Sequence, residues 1–171
     1  MLLEKKPEPK DAIVKTNTAF SALKAEADLD IRKRKLQLLH PSNKAELQTM
    51  INVFKKGTYV APHAHWLKKE LTQEIKKSES FLALEGTGKV LLFDDAGEIK
   101  RVIFMDAKEQ TMVWIPAGVW HSVVCTSAYF IVFENKTGPW KEGEDKIFHP
   151  HFPNEGDARE QDIVKEWESL D

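Results

Sequence analysis

Two short segments of the chain contain the side chains that most readily bind a transition metal. The first contains His63 and His65 and is followed by Glu79, and the second contains His121. Neutral imidazoles and an ionised carboxylate are ligands that divalent transition metals accept. A His-x-His step in a β-strand puts both rings on one face, because side chains alternate along a strand. The pattern therefore predicts a metal ion bound inside a β-barrel.

Short β-rich runs, separated by turn residues, must position these side chains. Strands are predicted at residues 35–39, 46–54, 58–65, 80–84, 89–93, 99–104, 111–115, 122–125 and 129–133. Many short strands at this spacing are typical of a β-sandwich or barrel. Asp and Gly residues between the runs at 89–93 and 99–104 favour a tight hairpin turn, and Gly57 and Gly86 indicate two further corners.

Apolar residues at helical spacing occur in three places outside these runs. The first place begins at Thr16 and ends near residues 28–30, the second is a charge-rich insert at 66–78, and the third covers residues 162–170. In the insert, Leu67, Leu71 and Ile75 repeat at intervals of about one turn. We expect an amphipathic helix in each place, packed on the barrel.

The length of 171 residues suits one domain with one buried core. We predict a flexible lead at 1–10, an N-terminal helical segment at 11–34, a barrel at 35–147 that includes the helical insert, and a C-terminal loop and helix at 148–171. The expected fold class is mainly β.

Charge and composition narrow the range of partners. The chain has 25 basic and 27 acidic residues, a balance that lacks the positive patch of a nucleic-acid binder. The basic run at 32–35 is short and is interpreted as a solvated face. No apolar stretch has the length of a membrane span. Cys125 is the only cysteine, so no intrachain disulfide is possible and a reducing, cytoplasmic location is expected.

The spacing of the two segments resembles that of the cupin superfamily. Its first motif reads G-x5-H-x-H-x3,4-E-x6-G, which Gly57, His63 and His65 open and which Glu79 and Gly86 close. Its second motif centres on Pro116, Gly118 and His121 in this chain. Cupins fold as a jelly-roll barrel, the double-stranded β-helix. The resemblance implies that His63, His65, Glu79 and His121 hold one divalent transition metal per chain, which can be Fe, Mn, Ni, Co or Zn.

Within the superfamily, the run from Arg32 to about Glu155 resembles the WbuC-type cupin-fold metalloproteins, which are associated with bacterial O-antigen gene clusters. The similarity includes residues 93–97, the stretch 115–121 and the stretch 133–140, which Asp145 and Lys146 follow. It implies a sugar or polysaccharide precursor as the substrate class, by analogy and not by residue chemistry. It also implies a homodimer.

The chain departs from the superfamily motifs at three positions. Glu79 lies fourteen positions after His65 because of the insert, whereas Glu70 has the short spacing of the motif. We favour Glu79, since it keeps the spacing to Gly86 and opens a predicted strand, and Glu70 remains the alternative. Gln110 replaces the leading Gly of the second motif, and Cys125 replaces its Asn.

Four residues near the predicted ligands are candidates for substrate binding. Strand alternation puts Tyr59 on the side of His63, Phe81 on the side of Glu79 and Cys125 on the side of His121. Glu134 and Lys136 follow the last predicted strand and are predicted at the mouth of the barrel, where they bind a polar substrate or bridge each other. Core packing is the alternative for Tyr59 and Cys125. His149 and His151 form a second His-x-His, in a Pro-containing segment without a partner motif, and are interpreted as loop residues.

Three functions fit these residues. The first is a metalloenzyme that acts on a small oxygenated molecule, either as a metal-dependent isomerase or lyase or as a ferrous dioxygenase. The second is a non-catalytic cupin that binds or senses a small molecule through the metal. The third is a metal-free sugar-nucleotide epimerase with a His base and a Tyr acid, which would leave most of the four ligands without a role.

Overall fold

The computed structural model describes residue 13, residues 15–68 and residues 74–171. Two helices and a series of short strands make up this part of the chain. The helices are α1 (Asn17–Leu29) and α2 (Glu160–Glu168). The strands are β1 (Arg34–Leu38), β2 (Leu47–Lys55), β3 (His63–Ala64), β4 (Trp66–Lys68), β5 (Glu74–Lys76), β6 (Glu79–Glu85), β7 (Thr87–Phe93), β8 (Ile99–Asp106), β9 (Met112–Ile115), β10 (Trp120–Cys125), β11 (Tyr129–Thr137) and β12 (Ile147–Phe148).

Two antiparallel sheets of five strands form the barrel. The front sheet has the order β1-β2-β11-β6-β9, and the back sheet has the order β12-β3-β10-β7-β8. Along the chain, the strands pass repeatedly from one sheet to the other. Most strands that pair within a sheet are therefore distant in sequence, as in a jelly roll. The predicted mainly β jelly roll is confirmed, and so is the hairpin between β7 and β8.

Alternating residues of the strands divide into an inward and an outward set. On β11, Phe130 and Val132 belong to the core between the sheets, whereas Ile131 packs outside with α1. The inward core also includes Phe81 of β6 and Val123 of β10. Because the period of a strand is two, this assignment places Glu79, His121, Glu134 and Lys136 on the inward side as well.

Each predicted terminal helix is present and covers the outside of one sheet. Leu23 and Ala27 of α1 are buried against Ile51, Val53 and Ile131 of the front sheet. On the back sheet, Val164 and Trp167 of α2 pack in one cluster with Leu91, Phe93 and Val124. The ammonium group of Lys89 donates to the main-chain carbonyls of Trp167 and Glu168, which fixes the end of α2 against the barrel.

The prediction of a helical insert at 66–78 is wrong for the described residues. The strands β4 and β5 pair antiparallel, with Trp66 opposite Lys76 and Leu67 opposite Ile75. The reason is that a spacing of four residues fits two structures. It is close to one turn of a helix, and it is also an even number, so in a strand it would place Leu67, Leu71 and Ile75 on one face. Leu71 and Glu70 lie outside the described residues.

The predicted strand at 58–65 is shortened to β3. Residues 58–62 lie in an irregular segment, so the alternation that placed Tyr59 on the face of His63 does not apply there. Pro62 has no N–H to contribute to a ladder, and its carbonyl accepts instead from His149 N. The predicted flexible lead at 1–10 lies outside the described residues. Neither helix of the described chain is long and apolar enough to cross a membrane.

Candidate metal centre

The four predicted ligands meet between the two sheets. Glu79 is the first residue of β6 in the front sheet, whereas His63 of β3 and His121 of β10 are directly opposed in the back sheet. His65 follows β3. One ligand atom from each of the four lies within 4.8 Å of those of the other three, and all four side chains are buried. Distant segments of the chain therefore meet at one point.

Two of the histidines are oriented by their own local backbone. The Nδ1 atom of His63 lies 2.9 Å from the carbonyl of Ala61, and that of His121 lies 2.8 Å from the carbonyl of Val119. A carbonyl only accepts, so each Nδ1 carries the proton and donates it. Gly118, with φ of 80°, makes the turn that places the Val119 carbonyl. Each ring then keeps a lone pair on Nε2 for a metal.

His65 reaches the same tautomer through a distant partner. Its Nδ1 donates to the carbonyl of Asp145, 2.9 Å away. The Asp145 carboxylate is itself held by two buried lysines, at 2.7 Å from Lys77 Nζ and 2.5 Å from Lys136 Nζ. Burial alone would raise the pKa of Asp145, but Lys136 and Lys77 lower it. Lys77 also donates to the carbonyl of Pro139, so the network fixes the loop that orients His65.

The contacts of Glu79 indicate that a cation belongs at the centre. Its Oε2 lies 3.2 Å from His65 Nε2, and its Oε1 lies 2.6 Å from His121 Nε2. Oε1 and His121 Nε2 are nevertheless both buried without a hydrogen bond. In the neutral, metal-binding form of His121 the proton is on Nδ1, so two lone pairs face each other at this short distance. Buried unpaired polar atoms are costly, and a shared cation would satisfy both.

Electrostatics inside the cluster favour a charged carboxylate among imidazoles. Burial would raise the pKa of Glu79, but the neighbouring His121 and His65 lower it well below its usual range. Burial lowers the pKa of His63 strongly, and repulsion by His121 and Lys146 adds to this effect. For His121 the lowering by burial is outweighed by attraction to Glu79, so its pKa is raised. A neutral His63 and an ionised Glu79 are the forms that bind metals.

The donor set therefore fits a divalent transition metal. Three Nε2 atoms and one carboxylate converge, each imidazole has a hydrogen bond that fixes its tautomer, and two buried atoms lack any other partner. His63, His65, Glu79 and His121 would hold the ion. Glu70, the alternative carboxylate, lies outside the described residues.

Two of the substrate-binding candidates lie inside the barrel beside the centre. Phe81 follows Glu79 by two residues on β6 and is opposed to Glu134 on β11. Glu134 is buried and accepts a hydrogen bond from Asn52 at 2.6 Å. Burial and repulsion by Glu79 raise the pKa of Glu134 to about 7. Glu134 is thus an interior neighbour of the ligands and not a residue of an open mouth.

The other two candidates lie away from the ligands. The hydroxyl of Tyr59 donates to the carbonyl of Pro153, and its ring stacks on Trp167 at 5.8 Å between centroids. Cys125 lies on β10 among inward apolar residues, and its thiol donates to the carbonyl of Ser127. Burial raises the pKa of Cys125 to about 12. Both environments agree with core packing.

The second His-x-His lies in a loop, as interpreted from the sequence. The Nε2 of His149 donates to the carbonyl of Asp94, and its Nδ1 accepts from the main-chain N–H of His151. His149 is buried against Trp120 and Phe152. These contacts use both ring nitrogens of His149, so it holds the loop on the barrel.

Sequence reasoning did not identify the residues around the ligands. Asp145, Lys77 and Lys146 are not adjacent in sequence to the histidines that they affect. The only available signal was that Asp145 and Lys146 belong to the stretch shared with WbuC-type proteins. A buried lysine cannot be distinguished from an exposed one by composition alone.

The chain has the cupin fold, a jelly-roll barrel, with three histidines and one glutamate grouped at its centre. The structure is similar to the capsular polysaccharide assembling protein CapF from Staphylococcus aureus, with a TM-score of 0.56 and 19% sequence identity over 70% of this chain and 32% of that chain. It is also similar to oxalate oxidase in complex with the substrate analogue glycolate, with a TM-score of 0.52 and 13% identity over 71% of this chain and 57% of that chain. At these identities the likeness shows the cupin fold alone.

The sequence itself belongs to the family described as Domain of unknown function (DUF6016), whose family model matches residues 15–105. This range covers α1, the strands β1 to β7 and all but the last residue of β8, and it includes His63, His65 and Glu79. No curated protein matches the sequence. The chain spans about a third of the length of CapF, of which it covers 32%.

Proposed function

We propose that this cupin is a metalloenzyme that acts on a small oxygenated molecule. The observation that carries the proposal is the set of three imidazoles whose Nδ1 atoms donate to fixed carbonyls while their Nε2 atoms converge on Glu79. A bound divalent metal would supply Lewis-acid polarisation of a substrate oxygen or, if it is ferrous iron, oxygen activation. The protein orients the three imidazoles through these hydrogen bonds.

Glu134 and Phe81 are the proposed substrate-binding residues on the inner wall. Glu134 lies beside Glu79, and its carboxyl retains a proton to higher pH than an ordinary glutamate. It can therefore donate a hydrogen bond to a substrate oxygen or exchange a proton with it. Phe81 supplies an apolar wall on the neighbouring strand.

The proposed substrate class is a sugar or a polysaccharide precursor. Two analogies support it: the resemblance to WbuC-type proteins and the structural similarity to CapF, a capsular polysaccharide assembling protein. A metal-free epimerase is disfavoured by the placement of the two tyrosines. Tyr59 donates to Pro153 and Tyr129 donates to Asp28, so neither hydroxyl is engaged with the histidine cluster.

Elemental analysis of protein purified without added metal tests the site. We expect about one transition metal per chain in the wild type and after Glu70→Ala, almost none after His63→Ala, and a reduced content after Glu79→Ala. His151→Ala is the matched control, because it removes an exposed histidine outside the cluster. Iron would favour oxygen chemistry. A wild type that neither contains metal nor takes it up on titration would refute the metalloprotein.

Non-catalytic binding is the second candidate, and the enclosure of the ligands favours it. The most exposed of the four, His63, is 8% exposed, and His121 is 1% exposed. Enhancement of water-proton relaxation in the Mn(II)-loaded protein reports whether water reaches the metal, and so distinguishes a metalloenzyme from a closed, non-catalytic site. An enzyme requires exchangeable water on the metal, which a substrate then displaces, whereas a closed site gives no enhancement.

We further propose a homodimer in a reducing, cytoplasmic compartment. Met112 and Trp114 on the edge strand β9 are 67% and 61% exposed, and Leu82 of the neighbouring strand lies opposite Met112. Exposed apolar side chains on an edge strand favour association with a second copy. Light scattering of the wild type and of Trp114→Lys tests the proposed homodimer, since the variant should be monomeric.

The proposal of a reducing compartment is supported by Cys125, which is a free thiol.

A further inference from the structure

The edge strands β1 and β12 place apolar side chains beside the metal centre. Leu36 is opposed to Asn52, whose amide binds the interior carboxyl of Glu134, so Leu36 shares the inward face. It is 47% exposed. On the other sheet, Phe148 is opposed to His63, with the ring centroids 6.4 Å apart, and it is 48% exposed. Partly exposed apolar side chains thus lie against His63 on the back sheet and beside the Asn52–Glu134 pair on the front sheet.

Lys146 brings a positive charge to this border. Its Nζ lies 4.9 Å from the ring centroid of Phe148, and its charge contributes to lowering the pKa of His63. Burial lowers the pKa of Lys146 itself. Within residues 15–68 and 74–171, no carboxylate forms an ion pair with it. The partly buried ammonium group therefore lies against an aromatic ring and is attracted by Glu155 and Glu79 without forming an ion pair with either.

The neighbouring cations differ from Lys146 because each has a carboxylate partner. Lys77 and Lys136 share Asp145. Arg34 binds Glu155 at 2.6 Å and also donates to the carbonyl of Tyr59. Lys146 is the cation of this group that is available to a ligand.

Charge balance at the centre points the same way. Glu155 and Glu79 attract Lys146, whereas Arg34 and Lys136 repel it. A divalent metal held by three neutral imidazoles and the single carboxylate of Glu79 would leave a net positive charge at the centre, beside Lys146. Uncompensated charge in a partly buried site is costly, and an anionic ligand would remove the cost.

From these observations we infer that the ligand of the metal centre carries a carboxylate or phosphate group that Lys146 binds, while Phe148 and Leu36 contact its apolar face. This inference rests on the proposed function and narrows the substrate class from a small oxygenated molecule to an acidic one. For a sugar, it selects a sugar acid or a sugar phosphate over the neutral sugar. Lys146 is a specificity-determining residue in this assignment.

Calorimetric titration of the full chain with D-glucuronate, D-glucose 6-phosphate and neutral D-glucose tests the inference. Each sugar is titrated into metal-loaded and metal-free protein, for the wild type, Lys146→Met, Lys146→Arg and Lys141→Met. Lys141 is an exposed lysine in the same loop region and serves as the matched control. Metal content and thermal unfolding are measured for every variant, so that loss of the metal or of the fold is recognised separately.

We expect one or both acidic sugars to bind the metal-loaded wild type at least tenfold more tightly than glucose. Lys146→Met should weaken that binding by about 10- to 100-fold with unchanged metal content, and Lys146→Arg should retain most of it. The preferred acidic sugar distinguishes carboxylate from phosphate. Equal binding of acidic and neutral sugars, no binding of either acidic sugar, or an affinity unaffected by Lys146→Met would overturn the inference. Acid binding that depends on Lys146 but not on metal would support the inference and contradict the proposed metalloenzyme.

Discussion

The interior of the barrel has an apolar half and a polar half, and the same strands contribute to both. On β6, Glu79 begins the polar half, and Phe81 and Ala83 continue into the apolar half. On β11 the order is reversed, with Phe130 in the apolar half and Lys136 in the polar half. The antiparallel register opposes Lys136 to Glu79, so both strands change character at the same level.

The apolar half of the interior stabilises the fold, whereas the polar half contains the candidate metal site. In the apolar half, close packing of fully buried side chains excludes water and stabilises the fold in a non-directional way. In the polar half, every charge needs a specific partner, and two buried atoms, Glu79 Oε1 and His121 Nε2, lack one among the described residues. The apolar half is complete without a ligand, whereas the polar half is completed by a cation.

The largest expected effect on folding is in the apolar half. Phe130 is 0% exposed, and Phe130→Ala should lower the free energy of unfolding by about 3–5 kcal/mol because it leaves a cavity. Urea unfolding of metal-free protein measures this. Metal content of the folded variant should be unchanged. If the variant folds but loses its metal, the packing of the apolar half also determines metal binding, and the two halves are not independent.

Asp145→Asn should have the largest effect on folding in the polar half. The substitution leaves Lys77 and Lys136 without their shared carboxylate, and breaking a buried ion pair costs about 3 kcal/mol or more. Metal affinity should also fall by about 10- to 100-fold, because the loop that orients His65 is released. Asp157→Asn breaks the surface pair with Arg159 and is the control, which should change neither quantity appreciably.

Metal removal should destabilise the wild type more than a variant that lacks a ligand. At a free metal concentration 100 times the dissociation constant, binding adds about 2.7 kcal/mol to the free energy of unfolding. Adding a chelator should therefore lower the thermal midpoint of the wild type clearly and that of Glu79→Gln much less. Equal sensitivity of both proteins to the chelator would show that Glu79 is not a ligand.

Glu134 should make the metal-free protein less stable as the pH rises. Burial raises its pKa to about 7, so the folded state binds a proton that the unfolded state releases near the ordinary pKa of a glutamate. Its stabilising contribution is complete below that ordinary pKa and is lost as the pH rises to about 7. Unfolding of Glu134→Gln across this range should show a flatter pH dependence than the wild type. Identical pH profiles would contradict the placement of Glu134 beside Glu79.

The smallest effect is expected for Cys125. Its thiol is buried in the apolar half, and its pKa is raised to about 12, so little nucleophilic thiolate is present at neutral pH. Cys125→Ala should cost about 1 kcal/mol of stability and leave the metal content unchanged. A thiol reagent should modify the unfolded protein and not the folded one. Rapid modification of the folded protein would show that Cys125 faces an accessible cavity.

The cluster of four ligand candidates was predictable because the positions of its members follow from local rules. His63 and His121 each take their tautomer from a carbonyl two residues earlier, and their spacing to Gly57 and Gly118 reflects turns that require positive φ. Glu79 was recognised by its distance to Gly86, which closes the β6–β7 corner with φ of 76°. Such relations extend over a few residues, and a single sequence displays them.

The insert and Tyr59 were harder to predict because their patterns are compatible with two structures. The four-residue repeat of Leu67, Leu71 and Ile75 fits a helix and also a strand, and only the pairing of β4 with β5 decides between them. Tyr59 was placed by alternation in a strand that the structure does not extend to it. Its actual partners, Pro153 and Trp167, come from the other end of the chain.

The sequence by itself determined the jelly-roll class and the group of four ligand candidates, because strand period, turn residues and motif spacing are local properties. Only the tertiary structure decided what surrounds that group. The support of His65 by Asp145, the pairing of Lys77 and Lys136 and the position of Lys146 beside Phe148 depend on contacts across the fold. Whether a charge is buried, paired or available to a ligand depends on these contacts, and no local pattern encodes them.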